Sequence, residues 1–325
     1  MNTDENIAAS SEAATSGARP TATPSPEEPL LDSKTMRKLG RWSLAVRRAT
    51  AGQYAGERRS TRHGQSVEFA DFRNYVPGDD IRFIDWNLYA RIERLYLKLF
   101  LQEQELNVYV LLDLSESMTF GDPTKEKLAR RLAAALGYLA LARGDALAIQ
   151  VAAKVEKKST AGDSGAFRLT KGLGFSRRML WYLQNLKPGG SVSLGEFVTR
   201  SLRKIRRPGL VILISDFLGE ENFEDALRPI VARRHEAIVI QLLDREEWEP
   251  KLRGDLKLVD SESDLPVEIS ATPALLKRYR TRVESWCRSI EAYCTRRGLT
   301  YVRVFNDTPL EDIVFRSLRQ MGRIR

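Results

Sequence analysis

The strongest constraint in this chain is a pair of short, unbroken apolar runs. The first, Val108-Tyr-Val-Leu-Leu112, ends on Asp113; the second, Leu210-Val-Ile-Leu-Ile214, ends on Ser215-Asp216. Neither run alternates apolar with polar residues, so each predicts a strand covered on both faces. Helical stripes separate such runs. Thr124–Ala142 places Leu128, Leu132, Leu136 and Leu139 on one side, with Lys125, Lys127, Arg130 and Arg131 mostly off it. Ala146–Val151, Ala237–Leu243 and Leu299–Phe305 read as further strands, and Phe175–Leu186, Leu194–Ile205, Phe223–Ala232 and Pro273–Arg296 as further helices, before Leu310–Met321 closes the chain. Two excursions interrupt the alternation: Ala152–Thr170, with a short strand near Phe167–Leu169, and a small polar β excursion over Lys251–Ile269. The pattern predicts an α/β fold: a doubly wound, mainly parallel, Rossmann-like sheet with helices on both faces.

Composition sets the outer limits. The chain has 325 residues, 42% hydrophobic and 29% charged, enough for one large core or two smaller ones. No window approaches a membrane span and the N-terminus lacks a signal pattern, so a soluble, cytoplasmic protein is expected. The two cysteines, Cys287 and Cys294, fall on one predicted helix, where their rise separates them by roughly 10 Å. They are placed too far apart to bridge, which fits a reducing compartment. The net charge is +9, and the acidic stretch Met1–Pro29 leaves the remainder more basic still. Arg58-Arg59, Arg203-Lys204, Arg206-Arg207 and Arg233-Arg234 read first as solvated helix faces and turn edges, because a nucleic-acid groove would add clustered aromatics. An acidic protein partner fits the charge equally well.

Residues 1–33 are mostly Ala, Ser, Thr, Pro and Glu and are expected to form a disordered tail. Residues 34–104 form a distinct N-terminal segment, ahead of the main domain over 105–325. A helix is predicted from Ser33, with Ser33 as its cap and Met36, Leu39, Leu44 and Val46 supplying contacts around Trp42. Gly52–Gly64 reads as an irregular arm, Pro77-Gly-Asp-Asp80 as a turn, and Tyr96–Phe100 as a strand leading towards the central one.

Chemistry concentrates where the two apolar runs end. Asp113-x-Ser115-x-Ser117 sets three hard oxygen side chains where a parallel strand would empty into a ligand crevice. If the two strands are neighbours, Asp216 joins the same edge, and the carboxylates repel unless a cation or extra donors sit among them. An all-oxygen set selects Mg²⁺ or Mn²⁺, with Ca²⁺ also compatible; zinc would want His or Cys. Taken alone, Asp-x-Ser-x-Ser is a short pattern that a capped loop would also use.

The same residues resemble the metal-ion-dependent adhesion site of von Willebrand factor A domains, with Asp216 matching that pattern's later Asp. In Pro188-Gly-Gly-Ser191-Val-Ser193, Ser191 or Ser193 stands where the pattern has Thr. A second motif agrees: Val67–Trp86, Ala90-Arg91 and Tyr96–Phe100 are similar to the signature of the domain-of-unknown-function 58 family, which joins such a segment to a von Willebrand A-like domain. The resemblance implies a metal bound by Asp113, Ser115, Ser117, Ser191 (Ser193 as its substitute) and Asp216, with an open position for a partner's Asp or Glu. It also implies a non-enzymatic adaptor working with an AAA+ ATPase of the MoxR type.

Two other function classes stand beside this one. A Mg²⁺-dependent phosphohydrolase also places an Asp at a strand end, but its usual second Asp, two residues on, is Ser115 here. His63 and His235 are both read as surface or loop residues, and nothing sets either near Ser115, which removes support for a Ser-His-Asp triad. Lys171-Gly-Leu-Gly174 is too poor a match for a phosphate loop. Nucleic-acid binding through the basic surface is the third class, with steep salt dependence as its mark.

Overall fold

A computed structural model describes residues 29–44, 68–101, 106–153, 166–190, 193–219, 222–233, 235–252, 254–259 and 266–324 of the chain. Helix α1 (Ser33–Leu39) opens it, capped by Asp32, whose Oδ1 accepts from Thr35 N at 2.7 Å. Ser33, expected as the cap, is instead the first helical residue. Leu31, Leu39 and Leu44 are buried, Leu44 bridges Ile324, and Trp42 packs tilted against Phe315 with ring centroids 5.8 Å apart. These residues therefore fold onto the main body, Leu31 included although composition places it in the tail. Residues 1–28, Val46 and Gly52–Gly64 lie outside the described residues.

Strand β1 (Glu68–Asn74), helix α2 (Trp86–Ile92) and strand β2 (Tyr96–Leu101) follow. The Tyr96–Phe100 run is a strand, but it pairs antiparallel with β1 in a two-stranded sheet of its own. The turn at Pro77–Asp80, fixed by Arg73 to Asp79 at 2.7 Å, and the Asp85-capped α2 fold the chain back on itself before it reaches the central sheet.

The main body continues with β3 (Asn107–Asp113), α3 (Lys125–Ala142), β4 (Ala146–Ala152), β5 (Ala166–Lys171), α4 (Ser176–Gln184), α5 (Leu194–Lys204), β6 (Leu210–Ser215), α6 (Phe223–Ala232), β7 (Glu236–Leu243), the helical turn α7 (Arg245–Trp248), the hairpin β8 (Gly254–Val259) and β9 (Pro266–Ala271), α8 (Pro273–Arg296) and β10 (Thr300–Phe305). A helix of wide, π-type turns over Asp312–Leu318 ends it. Six strands form one sheet in the order β10-β7-β6-β3-β4-β5; every neighbour is parallel except the edge strand β5, antiparallel to β4. The hairpin β8–β9 is the small excursion expected over Lys251–Ile269.

Helices cover both faces of this sheet, which is why its inner strands do not alternate. Val108, Val110 and Leu112 of β3 pack in one core with Leu132, Leu136 and Met179, while Tyr109 and Leu111 pack in the other with Phe197, Leu227 and Ile290. β3 and β6 are buried on both sides along their length. Cys287 and Cys294 sit buried and unbridged on α8. Among the described residues, no helix is long and apolar enough to cross a membrane.

Candidate metal centre

β3 and β6 lie side by side with Leu112 level with Ile214, so one further residue sets Ser215 beside Asp113. Ser215 Oγ donates to Asp113 Oδ2 at 2.6 Å, and Asp216 follows at the same end of the sheet. From β3 the chain steps outward to β4 and β5, then returns to β6 on the other side and runs on to β7 and β10. The crevice between the carboxyl ends of β3 and β6 is therefore the topological switch point, where open α/β sheets hold ligands.

The Asp-x-Ser-x-Ser loop is built by short bonds within this crevice. Asp113 Oδ1 accepts from Ser115 N at 3.0 Å, and the Ser115 and Ser117 hydroxyls lie 3.1 Å apart. The Gly-Gly loop is stitched alongside: Gly189 N donates to Leu114 O at 2.8 Å, and Glu116 N to Gly190 O at 3.1 Å. Gly189 has a φ of +132°, a conformation that suits glycine, and an added Cβ would press on Glu116. Asp113 is buried, and burial first, with the nearby charge of Asp216 second, pushes its carboxyl up to about 6 against the bonds from Ser215 and Ser115.

Across the crevice stands a group that the sequence reading set only off the apolar stripe of its helix. Lys125 opens α3 and is 0% exposed; its Nζ donates to Asp216 Oδ2 at 2.7 Å and to Glu247 Oε1. Glu247 is held in turn by a capping box, with Asp244 N donating to Glu247 Oε2 at 2.8 Å and Glu246 N to Asp244 Oδ1 at 2.7 Å. Burial raises the Glu247 carboxyl, with the charge of Lys125 opposing it. A second tie fixes the loop before α3: Asn306 Nδ2 donates to Pro123 O at 2.6 Å and to Asp244 Oδ2. Gly121, at φ +96°, lies so close that a Cβ there would overlap both Asn306 and Asp244.

Of the residues singled out from sequence, Asp113, Ser115, Ser117 and Asp216 converge on this edge. Ser193 caps α5, its Oγ accepting from Glu196 N at 3.1 Å, and Ser191 lies outside the described residues. His235, expected at the surface or in a loop, is on the loop entering β7 but buried edge-on to Tyr109, at the opposite end of the strands; His63 lies outside the described residues. Sequence reasoning missed Lys125, Ser215 and Glu247. Only Glu247 carries a local signal, because Asp244-x-x-Glu247 straight after an apolar strand is a capping-box pattern. Lys125 reads as an exposed helix residue until Asp216 and Glu247 are brought to it.

The donors present are all oxygen: two carboxylates and two hydroxyls. Zinc prefers His and Cys, so these oxygens are not its typical donors; among the described residues no group of three or more His, Cys, Asp and Glu gathers to hold a metal ion. A hard cation that keeps several waters fits the set in kind, and the buried like-charged pair is the feature that calls for positive charge. Phe120 and Leu218, the residues that leave the two loops, are 47% and 43% exposed.

An open, doubly wound α/β sheet with a carboxylate and hydroxyl crevice at its switch point defines the class: a doubly wound α/β domain joined to a small N-terminal segment. Residues 71–286 match the family described as "Protein of unknown function DUF58", and the chain belongs to that family. It is 31% identical over 246 residues to "Uncharacterized protein Rv1480" of Mycobacterium tuberculosis, covering 75% of this chain and 76% of that one. It is also 40% identical over 68 residues to "Uncharacterized protein MAV169" of Mycobacterium avium, 21% of this chain and 40% of that one. Similar solved structures include the conserved hypothetical protein BatB from Bacteroides thetaiotaomicron (16% identity, TM-score 0.37, 67% of this chain and 98% of that one). Another is the von Willebrand factor type A structure from Catenulispora acidiphila (16% identity, TM-score 0.32, 46% of this chain and 35% of that one).

Proposed function

We propose that this chain is a non-enzymatic, protein-binding adaptor that recognises its partner at the carboxyl edge of the sheet, through a divalent cation held in the crevice. Asp113 and Asp216 supply the charge, Ser115 and Ser117 supply hydroxyl oxygens, and Ser191 or Ser193 stands where the family pattern puts the remaining hydroxyl. Mg²⁺ or Mn²⁺ suits these donors, with Ca²⁺ as an alternative. The cation's contribution is an acid-accepting position that a partner's Asp or Glu completes. The observation that carries the reading is the buried Asp113–Asp216 pair at the switch point, where burial first and the charge of Asp216 second raise Asp113. Exposed Phe120 and Leu218 beside it provide apolar contact around a charged centre.

The partner class that the family resemblance supplies is an AAA+ ATPase of the MoxR type, met inside the cell, in chaperone-like assembly or regulation. Both oxygens of Asp113 accept hydrogen bonds within the crevice, which supports a ligand role over that of a nucleophile in a phosphohydrolase. Titration calorimetry against a purified MoxR-type ATPase, in Mg²⁺ and in EDTA, tests the reading. Binding in Mg²⁺ that EDTA and Asp113→Ala both abolish supports it; affinity indifferent to both overturns it.

A further inference from the structure

We propose that Lys125 is the resident cation of the crevice: its ammonium neutralises Asp216 in the metal-free protein and competes with a divalent ion for that carboxylate. The second half rests on the metal reading above; the first does not.

Two local preferences oppose a lysine at this position. The N-terminus of the 18-residue α3 carries the positive end of the helix dipole, which favours anions. Full burial of an ammonium is costly unless it is paired and hydrogen-bonded. The structure meets both with carboxylates from elsewhere in the chain, Asp216 from the end of β6 and Glu247 from α7. Glu247 is itself anchored by Asp244 N, and the other oxygen of Asp216 is engaged by Leu218 N at 3.0 Å. The Lys125 contact is thus aimed at the one Asp216 oxygen that the loop leaves over.

The two aspartates are consequently unequal. Asp216 faces an ammonium, whereas Asp113, among the described residues, accepts from Ser115 and Ser215, both neutral. A metal ion entering the crevice meets Asp113 with neutral partners and an Asp216 already engaged by an ammonium. Affinity for metal alone is then held down, and the acid brought by a partner supplies the missing negative charge, so that metal and partner favour each other's binding.

Two arms test this. In EDTA, thermal unfolding is compared for the wild type, Lys125→Met, Asp216→Asn and the double variant. Neutralisation predicts that Lys125→Met lowers Tm and that adding Asp216→Asn recovers part of the loss, because the more deeply buried of the two carboxylates left without Lys125 is removed while Glu247 remains. Additive losses overturn it. In the second arm, Mn²⁺ binding is followed by electron paramagnetic resonance for the wild type and Lys125→Gln, which keeps a donor without the charge and guards against misfolding of the Met variant. Competition predicts Mn²⁺ binding about tenfold tighter in Lys125→Gln. A wild type that binds Mn²⁺ as well as or better than the variant overturns competition. No Mn²⁺ binding by either protein overturns the metal reading and competition with it, while the EDTA arm still decides neutralisation.

Discussion

At the scale of single residues, the crevice is organised by which oxygens already have partners. Ser215 is the small hinge of that arrangement: its hydroxyl donates to Asp113 at 2.6 Å and accepts from Phe217 N at 3.0 Å. Phe217 has a φ of +61°, unusual for a bulky residue, and its backbone bond to Ser215 helps hold the turn that presents Asp216. Ser215→Ala removes both bonds from a buried site and should destabilise the chain by about 1–3 kcal/mol, read as a lower urea midpoint with an unchanged slope. His235 acts through pH. Burial, its largest cause, lowers its imidazole below the unfolded value of 6.5. The stability it contributes is therefore fully present above that value and lost as pH falls below it, since the unfolded chain then binds the proton first. His235→Gln should flatten the fall in Tm between neutral and mildly acidic pH; an unchanged slope would assign that fall to other groups. Asp113 and Asp216 were legible at this edge because one closes an apolar strand and the other directly follows one, and Ser115 and Ser117 because they lie in the loop straight after Asp113. Lys125 and Ser215 were not, because their roles depend on partners that only the strand pairing brings near.

At the scale of elements, the site depends on loops that cannot relax independently. The turn before α3 is clamped from β10 by Asn306 and from α7 by Asp244, and Gly121 lies against both. Gly121→Ala forces a Cβ into those side chains at a left-handed backbone position, so a loss of about 1–3 kcal/mol is expected, with a further loss of metal-dependent stabilisation. Equal Tm shifts with and without metal would show that this turn does not support the crevice. The strands and most helices were readable, because unbroken apolar runs and leucine stripes are local properties. What was not readable was pairing. Tyr96–Phe100 has the right period for a strand, but only the folded turn at Pro77–Asp80 makes β1 its neighbour. Likewise nothing local in the residues after α1 shows that Trp42 packs against Phe315 or that Leu44 pairs with Ile324. Trp42→Ala should loosen that attachment and expose residues 29–44 to protease at concentrations that leave the wild type intact.

At the scale of the whole molecule, the sheet order makes the crevice the place where the chain reverses direction, and the carboxylates of Asp113, Asp216 and Glu247, the hydroxyls of Ser115, Ser117 and Ser215 and the buried ammonium of Lys125 meet there. The basic balance of the chain, +9 overall, suits an acidic partner approaching that edge and predicts association that slows as ionic strength rises. The central claim is that the crevice binds a divalent cation in the native state. Thermal unfolding of the wild type, Asp113→Ala and Asp216→Ala, each in EDTA, Mg²⁺, Mn²⁺ or Ca²⁺, addresses it most directly. Binding to the native state alone must stabilise it, by about 2.7 kcal/mol at a hundredfold excess over Kd. A metal-dependent rise in the wild-type Tm that both variants lose is the expected result. A wild-type Tm that stays level in saturating Mg²⁺, Mn²⁺ and Ca²⁺, or a rise that survives in both variants, would contradict it.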